Sequence, residues 1–241
     1  MGKVDAVAST LTQELLDPIL ATDPAGPRVT YYDDGTGERV EVSTVTLANW
    51  AAKTANLLRD EFGLEPGARV SVLLPAHWQT AAVLLGAWWA GADVVLGADD
   101  DAEVALAHGS RIDEAGDVPE VLALSLDAFG KAVPNLPVGV TDYATSVRVH
   151  GDQFRPSGPG GALAGRSVDE VLAAARARAE AHSLAVGDRV LSSLPWSTAD
   201  ELIDGLLSVL VAGGSLVQVN NPDASKTEHR SATEKVTKTL G

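Results

Sequence analysis

The chain of 241 residues contains no cysteine, which excludes a disulfide scaffold, a thiolate zinc site and a cysteine nucleophile. Aromatic residues are scarce at 5%, so aliphatic side chains must supply most of any core. Basic residues are also few. The 18 Lys and Arg stand against 33 Asp and Glu, a net charge of −15, which argues against binding nucleic acid or an anionic membrane surface. A long hydrophobic run is missing too. The most apolar window, residues 81–97, is interrupted by Gly86, Gly91 and Asp93 and is too short to span a bilayer, so a buried helix followed by a buried strand explains it better. The start, Met1-Gly2-Lys3-Val4-Asp5 with Glu14 and Asp17 close behind, lacks the uninterrupted apolar segment of a signal peptide. A soluble, cytoplasmic protein is expected.

What is present points to an ordered protein. Apolar residues make up 45% and charged residues 21%, far from a disordered composition. A chain of this length fits one large domain or two fused halves, and buries about 70% of its unfolded surface. The charge is uneven: residues 1–150 carry 9 basic and 22 acidic side chains, whereas 151–241 carry 9 and 11. The first half is therefore a poor surface for phosphate-rich ligands.

An internal repeat organises the chain. Residues 64–75 read LEPGARVSVLLP and residues 184–195 read LAVGDRVLSSLP, so Leu64, Gly67, Arg69, Val70, Leu74 and Pro75 recur 120 residues later. Ala90, Gly91 and Val95 recur as Ala212, Gly213 and Val217 after two inserted residues, and the repeat spans 64–97 and 184–219. Each copy has the same grammar. An amphipathic helix leads, marked by Leu47, Ala51, Ala55 and Leu58 with Gly63 as a stop, or by the Ser167/Glu170 capping box. A Gly turn, a short apolar strand (70–74 or 190–194) and a terminating Pro follow. A second helix (77–90 or 199–212) and a second strand (94–96 or 216–219) complete each copy. Helices alternating with short apolar runs imply parallel strands covered on both faces. The expected fold is therefore α/β, with two pseudo-symmetric subdomains at 44–150 and 151–241. Residues 1–43 hold a helix at about 5–21 and a hairpin, 28–33 and 38–43, around Asp34-Gly35. The Gly- and Pro-rich stretch 109–161 supports only a strand near 121–126 and a long connection.

The segment VTYYDDGTGERVEVSTVTLANWAAKTANLLRDEFGLEPGARVSVLLPAHWQTAAVLLGAWWAGADVV resembles the opening of the adenylate-forming enzymes, the acyl-CoA synthetase or AMP-binding superfamily. The likeness covers about 28–98 and 162–241 and is strongest to short actinobacterial members that keep only the front part. It implies mostly parallel sheets covered by helices, as in the N-terminal region of that superfamily, and a helix-to-strand step over 232–241. It also implies a phosphate loop rich in Ser, Thr and Gly, carrying a Lys, ahead of the second-copy helix. Two alignments of that loop are open. If it is Ser157-Gly158-Pro159-Gly160-Gly161, it holds one hydroxyl, and Pro159 removes an N–H. If Ala162–Ala164 is the preceding strand, the loop shrinks to Gly165-Arg166. No Lys lies between Lys131 and Lys226 under either alignment. The chain also stops before the adenine and ribose motifs of the superfamily and its mobile C-terminal domain.

Weaker candidates remain. Trp196, after the terminating Pro195, could line an acyl pocket or simply pack in the core. Asp99-Asp100-Asp101 could hold a divalent ion but reads better as a solvated turn. His77, His108, His150, His182 and His229 form no paired metal motif, and neither a Gly-x-Ser-x-Gly elbow nor a Walker loop is present. The expectation is thus a non-catalytic, truncated scaffold for binding or assembly, with no catalytic residue, no metal and no cofactor. It would be completed by a second copy or a protein partner that covers the truncated face. The alternative is a small-ligand or nucleotide-binding enzyme, alone or as half of a split enzyme. ATP or AMP would then be held by Ser157, Gly158, Gly160, Gly161 and Arg166.

Overall fold

The computed structural model describes residues 9–240 and consists of two five-stranded sheets with helices on their faces. The expected helix over 5–21 begins at Leu11; the portion at 5–8 lies outside the described residues. That helix, α1 (Leu11–Thr22), starts at a capping box in which the Thr10 hydroxyl and the Gln13 side chain satisfy each other's backbone N–H groups.

The hairpin expected around Asp34-Gly35 is β1 (Pro27–Asp33) and β2 (Glu38–Ser43). After α2 (Thr44–Asp60), the first repeat copy supplies β3 (Arg69–Leu73), α3 (Trp78–Trp89) and β4 (Asp93–Leu96). Then come β5 (Val104–His108), a 3-10 turn over Gly109–Ala115, β6 (Glu120–Leu124), β7 (Val140–Asp142) and α4 (Tyr143–Val147). The stretch read as a long connection thus contains regular structure. Its elements are three to seven residues long, too short for a periodic signal to emerge.

The second copy supplies α5 (Val168–Ala181), β8 (Arg189–Ser192), α6 (Ala199–Leu202), α7 (Ser208–Val211) and β9 (Ser215–Asn220). One π-helical turn, Ile203–Leu207, joins α6 to α7 where the sequence pattern reads as a single helix. The chain continues through α8 (Ala224–Glu234) to β10 (Lys238–Leu240).

The first sheet runs β4-β3-β5-β6-β7, all parallel. The second runs β10-β8-β9-β1-β2 and is parallel except for the β1–β2 pair. The hairpin from the beginning of the chain is therefore built into the sheet of its end, Val29 opposite Leu216 and Asp33 opposite Asn220. Arg28, 2% exposed, fastens that join. It donates to Thr44 Oγ1 at 3.1 Å, Asp23 Oδ2 at 3.0 Å and the Gly214 carbonyl.

Both copies reuse one backbone contact. The Gly67 N–H donates to the Gly91 carbonyl at 2.8 Å, and the Gly187 N–H to the Gly213 carbonyl at 3.4 Å. All four glycines have positive φ, which L side chains rarely adopt. The core is aliphatic, as the scarcity of aromatics required: Leu47, Leu57, Leu58, Leu84 and Leu85 are fully buried between α2 and α3. Gly86 allows that close approach, because a Cβ there would lie 2.7 Å from the Ala51 carbonyl and 2.5 Å from Thr54 Cβ. Among the described residues no helix is long and apolar enough to cross a membrane.

Candidate ligand-binding cleft

The carboxyl ends of parallel strands are where α/β sheets place ligands, because strand-end loops splay apart there and present backbone and side-chain donors. Here the strand ends of both sheets open onto one cleft of about 920 Å³. Pro75 and His77 follow β3, His108 ends β5, and Ser125–Asp127 follow β6. From the other sheet come Asp33, Glu38, Ser193, Pro195 and Asn220. The Asn220 side-chain amide donates to the Ala76 carbonyl at 2.7 Å and ties the two sheets together at the cleft floor.

His77 is the most constrained group there. It is 2% exposed, caps α3, and its Nδ1 accepts the Gln79 N–H at 3.1 Å, so the neutral ring carries its proton on Nε2. Tyr31 meets the ring edge-on at 4.3 Å between centroids. Burial drives the imidazole pKa down to about 3, against the opposing pull of Asp33, so His77 is neutral at physiological pH. Its Nε2 lies 3.6 Å from Glu38 Oε1, too far for a hydrogen bond, and both atoms are buried without a partner. Glu38 is pushed above the usual carboxylate range by burial, then by the charges of Asp33 and Asp127. Asp33 Oδ1 accepts the N–H groups of Gly35 and Thr36 and the Asn221 amide. Asp127 accepts the Phe129 N–H, which with Lys131 holds its carboxyl below the usual range; the Lys131 ammonium lies 3.6 Å away.

The residues expected to hold phosphate lie elsewhere: none of Ser157, Gly158, Gly160, Gly161 and Arg166 lines this cleft. They belong to a stretch laid along the edge of β4. The Gly161 N–H donates to the Gly91 carbonyl at 3.1 Å, and Leu163 bridges Val94 in parallel. The Trp88 indole N–H reaches the Ala162 carbonyl at 2.6 Å. Gly160 has φ +60°, and a Cβ on it would stand 1.8 Å from the Gly91 carbonyl oxygen. Close packing against the first repeat therefore accounts for that glycine.

Several donors of the turn that leads into α5 are already engaged. The Gly165 N–H points at both oxygens of Asp93 at 3.0 Å. Glu170 takes the Ser167 N–H and hydroxyl, both at 2.8 Å. Ser157 and Arg166 are exposed. A hollow of about 350 Å³ beside this turn is flanked by Glu14 and Asp169, which repel an anion.

Trp196, 2% exposed with φ +58°, sits in the core rather than on the cleft wall. Asp99 and Asp101 both engage Arg69, at 3.4 and 3.1 Å. The carboxylates of the cleft escaped sequence reasoning, because Asp33 and Glu38 look like ordinary turn flanks until the hairpin is placed beside β9. The available signal was His77, two residues past a strand-ending proline.

No protein-family model matches the chain. A "TIGR03089 family protein" of Mycobacterium tuberculosis (strain ATCC 25618 / H37Rv) is 58% identical over 240 residues, covering 96% of this chain and 98% of the relative. Among solved structures, an acyl-CoA synthetase of Brucella canis superposes with a TM-score of 0.79 at 18% identity, covering 99% of this chain and 48% of the synthetase. The anthranilate CoA ligase AuaEII, solved with anthranoyl-AMP, gives 0.71 at 12% identity, covering 95% and 48%. The fold is thus that of the adenylate-forming enzymes, and the chain spans about half the length of these two solved structures.

Proposed function

The chain belongs to the TIGR03089 family, and on that premise we propose that it is a non-catalytic binding or assembly protein built on an adenylate-forming scaffold. One observation carries this reading. Just ahead of α5, carboxylates of the chain itself take three donors of the turn: Asp93 the Gly165 N–H, and Glu170 the Ser167 N–H and hydroxyl. Adenylate formation requires a triphosphate to be clamped and its leaving charge stabilised. An anion at this turn would compete with two internal carboxylates, with Glu14 and Asp169 close by, and among the described residues no Lys or Arg lines the hollow. The excess of acidic residues in the first half adds to the repulsion.

The test is thermal denaturation of the purified chain with millimolar Mg·ATP, AMP or a CoA thioester, beside a pyrophosphate-exchange assay. The expected outcome is an unchanged Tm and no exchange, since a ligand of the native state must raise its stability. A rise of several degrees with any of the three, or exchange by the chain alone, overturns the reading. Exchange that appears only with a second polypeptide would identify half of a split enzyme instead.

A further inference from the structure

The cleft between the two sheets holds two facing carboxylates, of which Asp33 is hydrogen-bonded and Glu38 is not. Asp33 and Glu38 pair directly across the last rung of the β1–β2 hairpin, so their side chains leave the same face. Like charges placed opposite one another across a strand pair are destabilising. Among the described residues, no Lys or Arg lies within ion-pair distance of either carboxylate, and Lys131, the cation on the wall, is paired with Asp127. His77 brings no compensating charge, because burial keeps it neutral. A buried carboxylate oxygen of Glu38 is left without a donor. Leu126, Pro134, Pro195 and Val219 add apolar wall to the same space. Its volume suits a small organic molecule.

The geometry points to a binding site for a small organic amine, its ammonium placed between Asp33 and Glu38 and its apolar body along the proline- and leucine-lined wall. The ammonium supplies N–H donors to Glu38 and offsets two facing negative charges, whereas a carboxylate or phosphate at the same place is repelled by both. His77 holds a position rather than a charge. Clamped by the Gln79 N–H and the Tyr31 ring, it backs Glu38 and prevents the carboxylate from swinging into the core. The inference rests on reading the chain as a binding protein and names the class of ligand.

The experiment uses three probes of equal length and differing charge, hexylammonium, hexanol and hexanoate, titrated calorimetrically into the full chain. His77 ring proton shifts report whether a probe sits in the cleft. Hexylammonium is expected to bind at least about tenfold more tightly than hexanol, with hexanoate weakest, and to move the His77 signals. Asp33→Asn and Glu38→Gln each lower hexylammonium affinity by about threefold to tenfold, and the double variant loses the preference over hexanol. Asp33→Asn keeps an oxygen for the bonds from Gly35, Thr36 and Asn221, and the Glu38 side chain makes no hydrogen bond to lose, so folding is retained, and Asp101→Asn serves as a distant charge control. Equal binding of the three probes, a preference for hexanoate, no binding at all, or a preference that survives in the double variant overturns the inference. A Tm shift with Mg·ATP that leaves the amine result intact would instead overturn the non-catalytic reading alone.

Discussion

Gly160 shows how a single residue constrains the joint between the two repeats. Its φ of +60° and the 1.8 Å between a built Cβ and the Gly91 carbonyl oxygen leave no room for a side chain. Gly160→Ala is expected to cost about 2 kcal/mol or more, lowering Tm by roughly 4–8 °C in a chain of this size. Gly158→Ala makes the natural control. No atom lies within 4 Å of its built Cβ and its φ is not positive, so thermal denaturation should show almost no change. Both glycines look alike in the sequence, as members of one Gly-rich run. What separates them is the neighbouring chain at Gly91, some seventy positions earlier. His77 behaves in the same way: its cap on α3 is a local matter, but its burial against Tyr31 and its gap to Glu38 depend on a hairpin from another sheet.

The last helix is held by charge more than by apolar packing. Glu234, at the end of α8, accepts hydrogen bonds from the Tyr32 hydroxyl, from Arg39 and from Arg189, while Arg230 and Lys226 engage Asp34. Burial alone would raise the Glu234 carboxyl, but the hydrogen bonds from Tyr32, Arg189 and Arg39 outweigh it and hold its pKa down at about 2. A carboxylate depressed in the folded state stabilises fully above its unfolded pKa and loses that contribution as pH falls through the folded value. Stability is therefore expected to decline between about pH 4.5 and pH 2, with α8 and β10 exchanging their amide protons first. Glu234→Gln should lower stability at pH 7 and flatten the decline across that window; an unchanged acid profile would show that the latch contributes nothing. Other elements were readable from local pattern. The Ser167/Glu170 and Thr198/Glu201 capping boxes both form, because a cap needs only neighbours three residues away. The π turn between α6 and α7 was hidden, since Ala199–Ala212 has the period of one helix. There Gly205 lies against Leu194 and Trp196, with 3.0 Å from a built Cβ to the Trp196 indole nitrogen, a contact that helical spacing does not encode.

At the scale of the molecule, β9 is flanked by β8 on one side and by β1 on the other, so the second sheet needs both ends of the chain. A polypeptide of residues 151–241 alone would expose the β9 edge, with Leu216, Val217 and Val219, and is expected to aggregate when expressed by itself. Co-expression with residues 1–150 should restore a soluble 1:1 complex, measured by size-exclusion chromatography and circular dichroism. A monomeric, folded 151–241 fragment would show that the hairpin is dispensable. The sequence alone determined the α/β class, the caps and the helix–strand–helix–strand order of each repeat. These follow from periodicity and residue chemistry within a few positions of one another. Only the tertiary structure decided that the first hairpin completes the last sheet, that Asp93 takes the Gly165 N–H ahead of α5, and that Asp33 and Glu38 face one cleft. Strand order is a choice among distant partners of similar apolar character, and it is settled when whole sheets pack rather than by any local run of residues.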